Sequence, residues 1–232
     1  MRNFKPGRAM TFFVVFFFPI LLFLGSWQIN RGIDKQETWT LNNINKSLPV
    51  MNENEALSIN FNKAVYRSVF LEGRFGKESY LLDNRLYKQE AGYEVFSIFE
   101  SINNNLYLIN RGWISKENYN HAEVPLIGSR TSIEGIYSPF RRFGLTLSDK
   151  VESQSWPKKV QELDYERAAS DLGFEIKKAV IQLSAGSPGA YEPIWLPAEF
   201  SPSRHYGYAV QWLGLAIVLM GSYIYFGYKK EK

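Results

Sequence analysis

Ser203-Arg-His-Tyr-Gly-Tyr-Ala-Val-Gln-Trp212 opens the last thirty residues of the chain and runs directly into an apolar stretch ending at Tyr228. From Tyr206 to Tyr228 there are 23 residues with no charge and one strongly polar side chain, Gln211. At about 1.5 Å of rise per residue this segment spans a hydrocarbon core of about 30 Å. Tyrosines at both ends and the following Lys229 and Lys230 are interfacial anchors, which argues against the alternative of a buried soluble helix. The stretch decides the fold because whatever precedes it is tethered to a bilayer.

The other end carries a matching signal. Ala9 to Gly25 is apolar except for Thr11 and Pro19, and Ser26, Trp27 and Ile29 extend it towards an interface. Pro19 removes a backbone hydrogen bond, so a bend is expected there. The alternative is a cleaved signal peptide, for which the basic start (Arg2, Lys5, Arg8) is suitable. Gly25-Ser26-Trp27-Gln28 is a poor cleavage site, however, and an uncleaved anchor is the expectation. The first tail carries +3 and the last +2 of the formal +4, leaving −1 between the spans. Under the positive-inside rule both termini are then cytoplasmic, and the basic excess belongs to short tails rather than to a nucleic-acid surface. The expected division is a tail at 1–8, a first span at 9–29, an extracytoplasmic domain at 30–203, a second span at 204–228 and a tail at 229–232.

The domain is long enough for a core of its own. The chain has no Cys, so packing rather than disulfides must hold the domain, and thiolate chemistry is excluded. Arg31 to Leu48 reads as a helix leaving the first span and stopped by Pro49. Residues 65–75 read as a strand with a bulge at Glu72-Gly73, and Tyr80-Leu-Leu-Asp as a second short strand. Tyr93 to Glu100 reads as a strand apolar on both faces. A turn at Asn103-Asn104-Asn105 then leads back through Leu106 to Trp113 as its hairpin partner. Thr131 to Tyr137 and Lys178 to Leu183 are further strands. Pro157 to Gly173 has a helical apolar stripe with Gly173 as its stop. Ala185 to Pro202, rich in Gly and Pro, reads as a stalk. The expected fold is α+β, with a mostly antiparallel sheet curved or closed into a small barrel, flanked by one transmembrane helix at each end.

Sequence signatures of catalysis are sparse. There is no Gly-rich phosphate loop and no Gly-x-Ser-x-Gly turn, and the two histidines, His121 and His205, are 84 positions apart. No enzymatic activity is expected. In the domain, Asn110-Arg111-Gly112-Trp113 is the sharpest motif. Gly112 permits a backbone conformation closed to other residues, and Arg111 supplies a fork able to clamp a carboxylate or propionate. The alternative is a hairpin end with Trp113 in the core and Arg111 in a structural ion pair. In the second span, Gly207, Gly214 and Gly221 recur every seven residues and read as a seam for a neighbouring helix. His205, Ala209, Trp212 and Ala216 fall on another side, with room for a flat apolar ligand. His205 is equally readable as a lone interfacial side chain.

Leu24-Gly-Ser-Trp-Gln-Ile-Asn-Arg31, Gly92-Tyr-Glu-Val95, Asn110-Arg-Gly-Trp-Ile114 and Arg204-His-Tyr-Gly-Tyr-Ala-Val-Gln-Trp212 are, in this order, similar to the Surfeit-locus (Shy-type) family of cytochrome c oxidase assembly proteins. The resemblance covers nearly the whole chain. It implies a non-enzymatic accessory protein that assists insertion of heme a into the main oxidase subunit. His205 matches the family's histidine at the head of the second span and is the expected iron ligand; Trp212 matches an aromatic deeper in that span. Expected partners are the main oxidase subunit, the heme a synthesis machinery and membrane lipid, with no nucleic acid. A scaffold that stabilises oxidase subunits without touching heme is the rival. The short basic N-terminus, without an Arg- and Ser-rich presequence, points to a bacterial inner membrane with the domain in the periplasm.

Overall fold

Strands that are apolar on both faces need a packed layer on each side, and the computed structural model supplies both. It describes residues 4–119, 128–145, 155–195 and 201–228; His121 and the last four residues lie outside these. In chain order the elements are α1 (Arg8–Lys46), β1 (Met51–Asn52), α2 (Glu53–Ser58), α3 (Phe61–Ala64), β2 (Ser68–Tyr87), β3 (Glu90–Ser101) and β4 (Leu106–Ser115). There follow α4 (Lys116–Tyr119), β5 (Thr131–Pro139), β6 (Phe143–Gly144), β7 (Lys158–Val160), β8 (Glu162–Leu163), α5 (Tyr165–Leu172), β9 (Ala179–Leu183) and α6 (Ser203–Tyr228). The chain divides into a helical unit, Met1–Thr40 with Pro197–Lys232, and a sheet unit, Leu41–Leu196.

In the sheet unit, β2 pairs antiparallel with β3, β3 antiparallel with β4, β4 parallel with β9, and β9 antiparallel with β5. β5 returns antiparallel to the first half of β2, so the ladder closes into a five-stranded barrel. Closure removes the free edges that an open sheet would leave. The small-barrel expectation holds, and the sheet is mixed. Val69, Leu71, Phe75, Phe99, Tyr107, Ile109, Ile133, Tyr137 and Ile181 bring residues from all five strands into one core, with Met51, Ala56 and Ala64 packed onto it. The opposite faces contribute Tyr80, Leu82, Phe96, Ile98, Leu108 and Val180 to a second core, covered by Val160, Leu163, Ala168 and Ile176.

Several sequence expectations are corrected. The two short strands around Leu71 and Leu81 are one twenty-residue strand, β2. Its pairing irregularities with β3 fall between Phe75 and Ser79 and between Leu82 and Arg85, not at Glu72-Gly73. The helix expected over 157–173 begins only at Tyr165, capped by the Asp164 side chain and ended by Gly173 at φ 72°. Residues 158–160 instead pair parallel with Tyr80–Leu82, because β5 leaves that edge of β2 open. The expected stalk is no free linker in its described part to residue 195: Trp113 and Glu192 exchange backbone hydrogen bonds at 2.7 and 3.1 Å. The asparagines near the end of α1 also acquire a purpose, since Asn45 Nδ2 donates to the Val65 carbonyl at 2.7 Å.

In the helical unit, α1 continues unbroken through Pro19. α1 and α6 are both long and apolar enough to cross a membrane, and only 11% of each apolar window is buried within the protein. They run antiparallel. Lys5 N–H donates to the Gly227 carbonyl and the Thr11 and Tyr223 hydroxyls meet at 3.1 Å, whereas Gln28 lies against His205 at the far end.

Candidate functional site

Gly25, Gln28 and Gly32 follow one another by three and four residues, so they lie on one face of α1. The two glycines are what allow α6 to come close. A methyl group at residue 25 would lie 2.7 Å from Leu213 Cδ2, and one at residue 32 would lie 2.5 Å from Tyr206 Cε1. Between them, His205 Nδ1 stands 2.8 Å from Gln28 Oε1. A carboxamide oxygen only accepts, so Nδ1 carries a hydrogen in this contact, and in the neutral ring Nε2 is then the nitrogen with the lone pair. Nε2 makes no hydrogen bond among the described residues. His205 is half-buried at the first turn of α6, within the helical unit.

This geometry reverses the expected use of the two faces of α6. Ala209 and Ala216, thought to leave room for a flat ligand, are 3% and 2% exposed, and half-buried Trp212 shares their face. That face is packed against α1. The Gly207-Gly214-Gly221 row, expected to be the seam between the spans, has nothing within 4 Å of any added Cβ. The reason is steric: the glycines that matter are on α1, where the larger side chains of α6 enter the notches they leave.

Arg111 belongs to the sheet unit and His205 to the helical unit. Asn110 opposes Phe96 and Gly112 opposes Val95, so Arg111 is the extra residue of a β-bulge. Gly112 sits at φ 106°, with Asn110 Oδ1 accepting its N–H at 3.0 Å. The bulge buries Arg111 to 6% exposure without an acidic partner among the described residues, so the expected structural ion pair is not found. Its Nε donates to the Gly189 carbonyl at 2.7 Å, and the guanidinium lies 4.5 Å from the Tyr191 ring and 5.6 Å from the Phe75 ring. Nη2 has no hydrogen-bond partner among the described residues. Burial pushes the Arg111 pKa down, opposed by neighbouring Tyr191 and Tyr119. The acid of the motif lies elsewhere: buried Glu94 takes a hydrogen bond from Asn110 Nδ2 at 2.6 Å and pairs with Arg85 at 2.9 Å. Trp113 is in the core as expected, its Nε1 donating to the Arg85 carbonyl.

No group of three or more His, Cys, Asp or Glu side chains among the described residues is placed to hold a metal ion. Among the described residues the helical unit holds one imidazole oriented through Nδ1, with Nε2 making no hydrogen bond. Gln28 escaped the sequence reading because nothing local pairs it with a residue 177 positions away.

The chain is 27% identical over 224 residues to a SURF1-like protein of Rickettsia conorii (strain ATCC VR-613 / Malish 7), covering 92% of this chain and 90% of that one. It is likewise 27% identical over 231 residues to a SURF1-like protein of Rickettsia prowazekii (strain Madrid E), covering 93% and 88%. The SURF1 family model matches residues 15–217, and the chain therefore belongs to the SURF1 family.

Proposed function

We propose that this protein is a membrane-anchored assembly factor for cytochrome c oxidase that presents heme a to the main oxidase subunit, with His205 as the iron ligand. The observation that carries the reading is the oriented His205 imidazole, whose Nδ1 is engaged by Gln28 and whose Nε2 makes no hydrogen bond among the described residues. Membership of the SURF1 family, which is linked to cytochrome c oxidase assembly, supports it. In this reading heme a is cargo received from its synthesis machinery, and the protein makes or breaks no covalent bond. Trp212, on the face of α6 packed against α1, stays half-buried, so any apolar contact it makes with heme is limited to its exposed edge. Arg111, with its unpartnered Nη2, is a polar contact for an anionic group in the sheet unit.

The antiparallel pairing of α1 with α6 supports a hairpin across a bacterial inner membrane, with both termini cytoplasmic and residues 30–203 periplasmic. A cytoplasm-only reporter fused after Lys232 is expected to be active; a silent fusion refutes the orientation. The scaffold reading draws on a different observation, the occupation of the Ala209–Ala216 face by α1. Soret absorbance of protein purified from cells making heme a separates the two. Wild type carries heme and His205→Ala does not if the proposal holds, whereas equal heme content favours the scaffold.

A further inference from the structure

We propose that Gln28 is the positioning residue of the iron ligand: its carboxamide sets the tautomer, the ring orientation and the donor strength of His205. This rests on His205 being the ligand and deepens that reading. The contact joins two helices separated by the whole sheet unit in sequence, so it exists only when α1 and α6 pair correctly. Its register is built in. Leu213 seated over Gly25 and Tyr206 over Gly32 bracket Gln28 by one turn on either side, and a Cβ at either glycine would meet one of these side chains at 2.7 or 2.5 Å. An imidazole whose Nδ1–H is held by an oxygen is fixed in rotation and is a stronger donor through Nε2. Gln28 and His205 are both half-buried, where such a hydrogen bond suffers less competition from bulk water than at an exposed site.

Two near-isosteric changes act in opposite directions. Gln28→Leu removes the acceptor, and Gln28→Glu replaces it with a stronger one. The experiment purifies wild type, both variants and His205→Ala from cells making heme a. It measures heme affinity, the heme reduction potential and the iron–imidazole stretch in the ferrous protein. Gln28→Leu is expected to bind heme about 10- to 100-fold more weakly, with a raised potential and a lowered stretching frequency. Gln28→Glu is expected to keep heme, with the potential lowered and the stretch raised. A merely structural role moves both variants in the same direction, and that result overturns the proposal. So does wild-type behaviour of both variants alongside loss of heme from His205→Ala, which leaves the ligand reading intact. Wild-type heme content in His205→Ala defeats the ligand reading itself, and the role of Gln28 falls with it.

Discussion

Leu213 fills the notch that Gly25 leaves in α1, with Cδ2 only 2.7 Å from where a Cβ at residue 25 would stand. This contact, rather than the glycine row of α6, makes the helix pair close-packed. Gly25→Val is therefore expected to destabilise the pair by about 1–3 kcal/mol through overpacking. Gly214→Ala, with open space around it, should leave it unchanged. Thermal unfolding of the full chain in detergent, followed by the fluorescence of Trp27 and Trp212, checks this. Equal midpoints for the two variants would contradict the packing described.

Gly112 answers to two constraints at once. Its φ of 106° is strained for any L side chain, and a Cβ there would lie 2.6 Å from the Glu192 carbonyl oxygen. Gly128, at φ 82°, has only the first constraint. Gly112→Ala should cost about 2 kcal/mol or more and Gly128→Ala about 1 kcal/mol. Urea unfolding of both variants against wild type gives the comparison, and a larger loss at Gly128 would refute it.

Asp83 provides an acid-sensitive contact. Burial opposes its ionisation, but Lys116 Nζ at 2.8 Å, the Asn84 N–H and Lys159 Nζ at 3.2 Å together hold its pKa below the ordinary 3.8. A carboxylate with a depressed folded-state pKa adds stability that is complete above its unfolded value. That stability is lost as pH falls through the folded value. Asp83→Asn should be less stable than wild type at neutral pH, and the gap should narrow below about pH 3.8. Melting temperatures measured across that window decide the point; a constant gap would reject the assignment.

Glu53 ties the start of α2 to the β3–β4 turn. Its carboxylate accepts from Ser101 Oγ at 2.7 Å, Asn103 Nδ2 at 2.7 Å and Asn105 Nδ2 at 2.8 Å. Gln at this position turns a donor towards those donors, leaving one buried group unpaired at a cost of about 1–3 kcal/mol. Glu53→Gln should thus lower the unfolding midpoint although it removes a buried charge. An unchanged or raised midpoint would show that desolvation of the carboxylate outweighs its hydrogen bonds.

Length, apolarity and charge were sufficient to read the two terminal helices, because crossing a bilayer is a demand on composition within one continuous segment. The strands β3, β4, β5 and β9 were likewise legible as short apolar runs bounded by turn residues, and the partly apolar faces of β3 meet a core on each side. Lys158–Val160 were misread because a three-residue parallel strand has no pattern of its own; a vacant edge of β2 recruits it.

The sequence by itself determined that the chain has two apolar helices around a sheet domain, and that His205 heads the second. Only the tertiary structure decided which faces of those helices meet, and hence that Gln28 holds the imidazole. Helical spacing shows that Gly207, Gly214 and Gly221 share a side and that Gly25, Gln28 and Gly32 share another. Which set accepts a neighbour depends on the side chains opposite, and those belong to a segment 177 positions away.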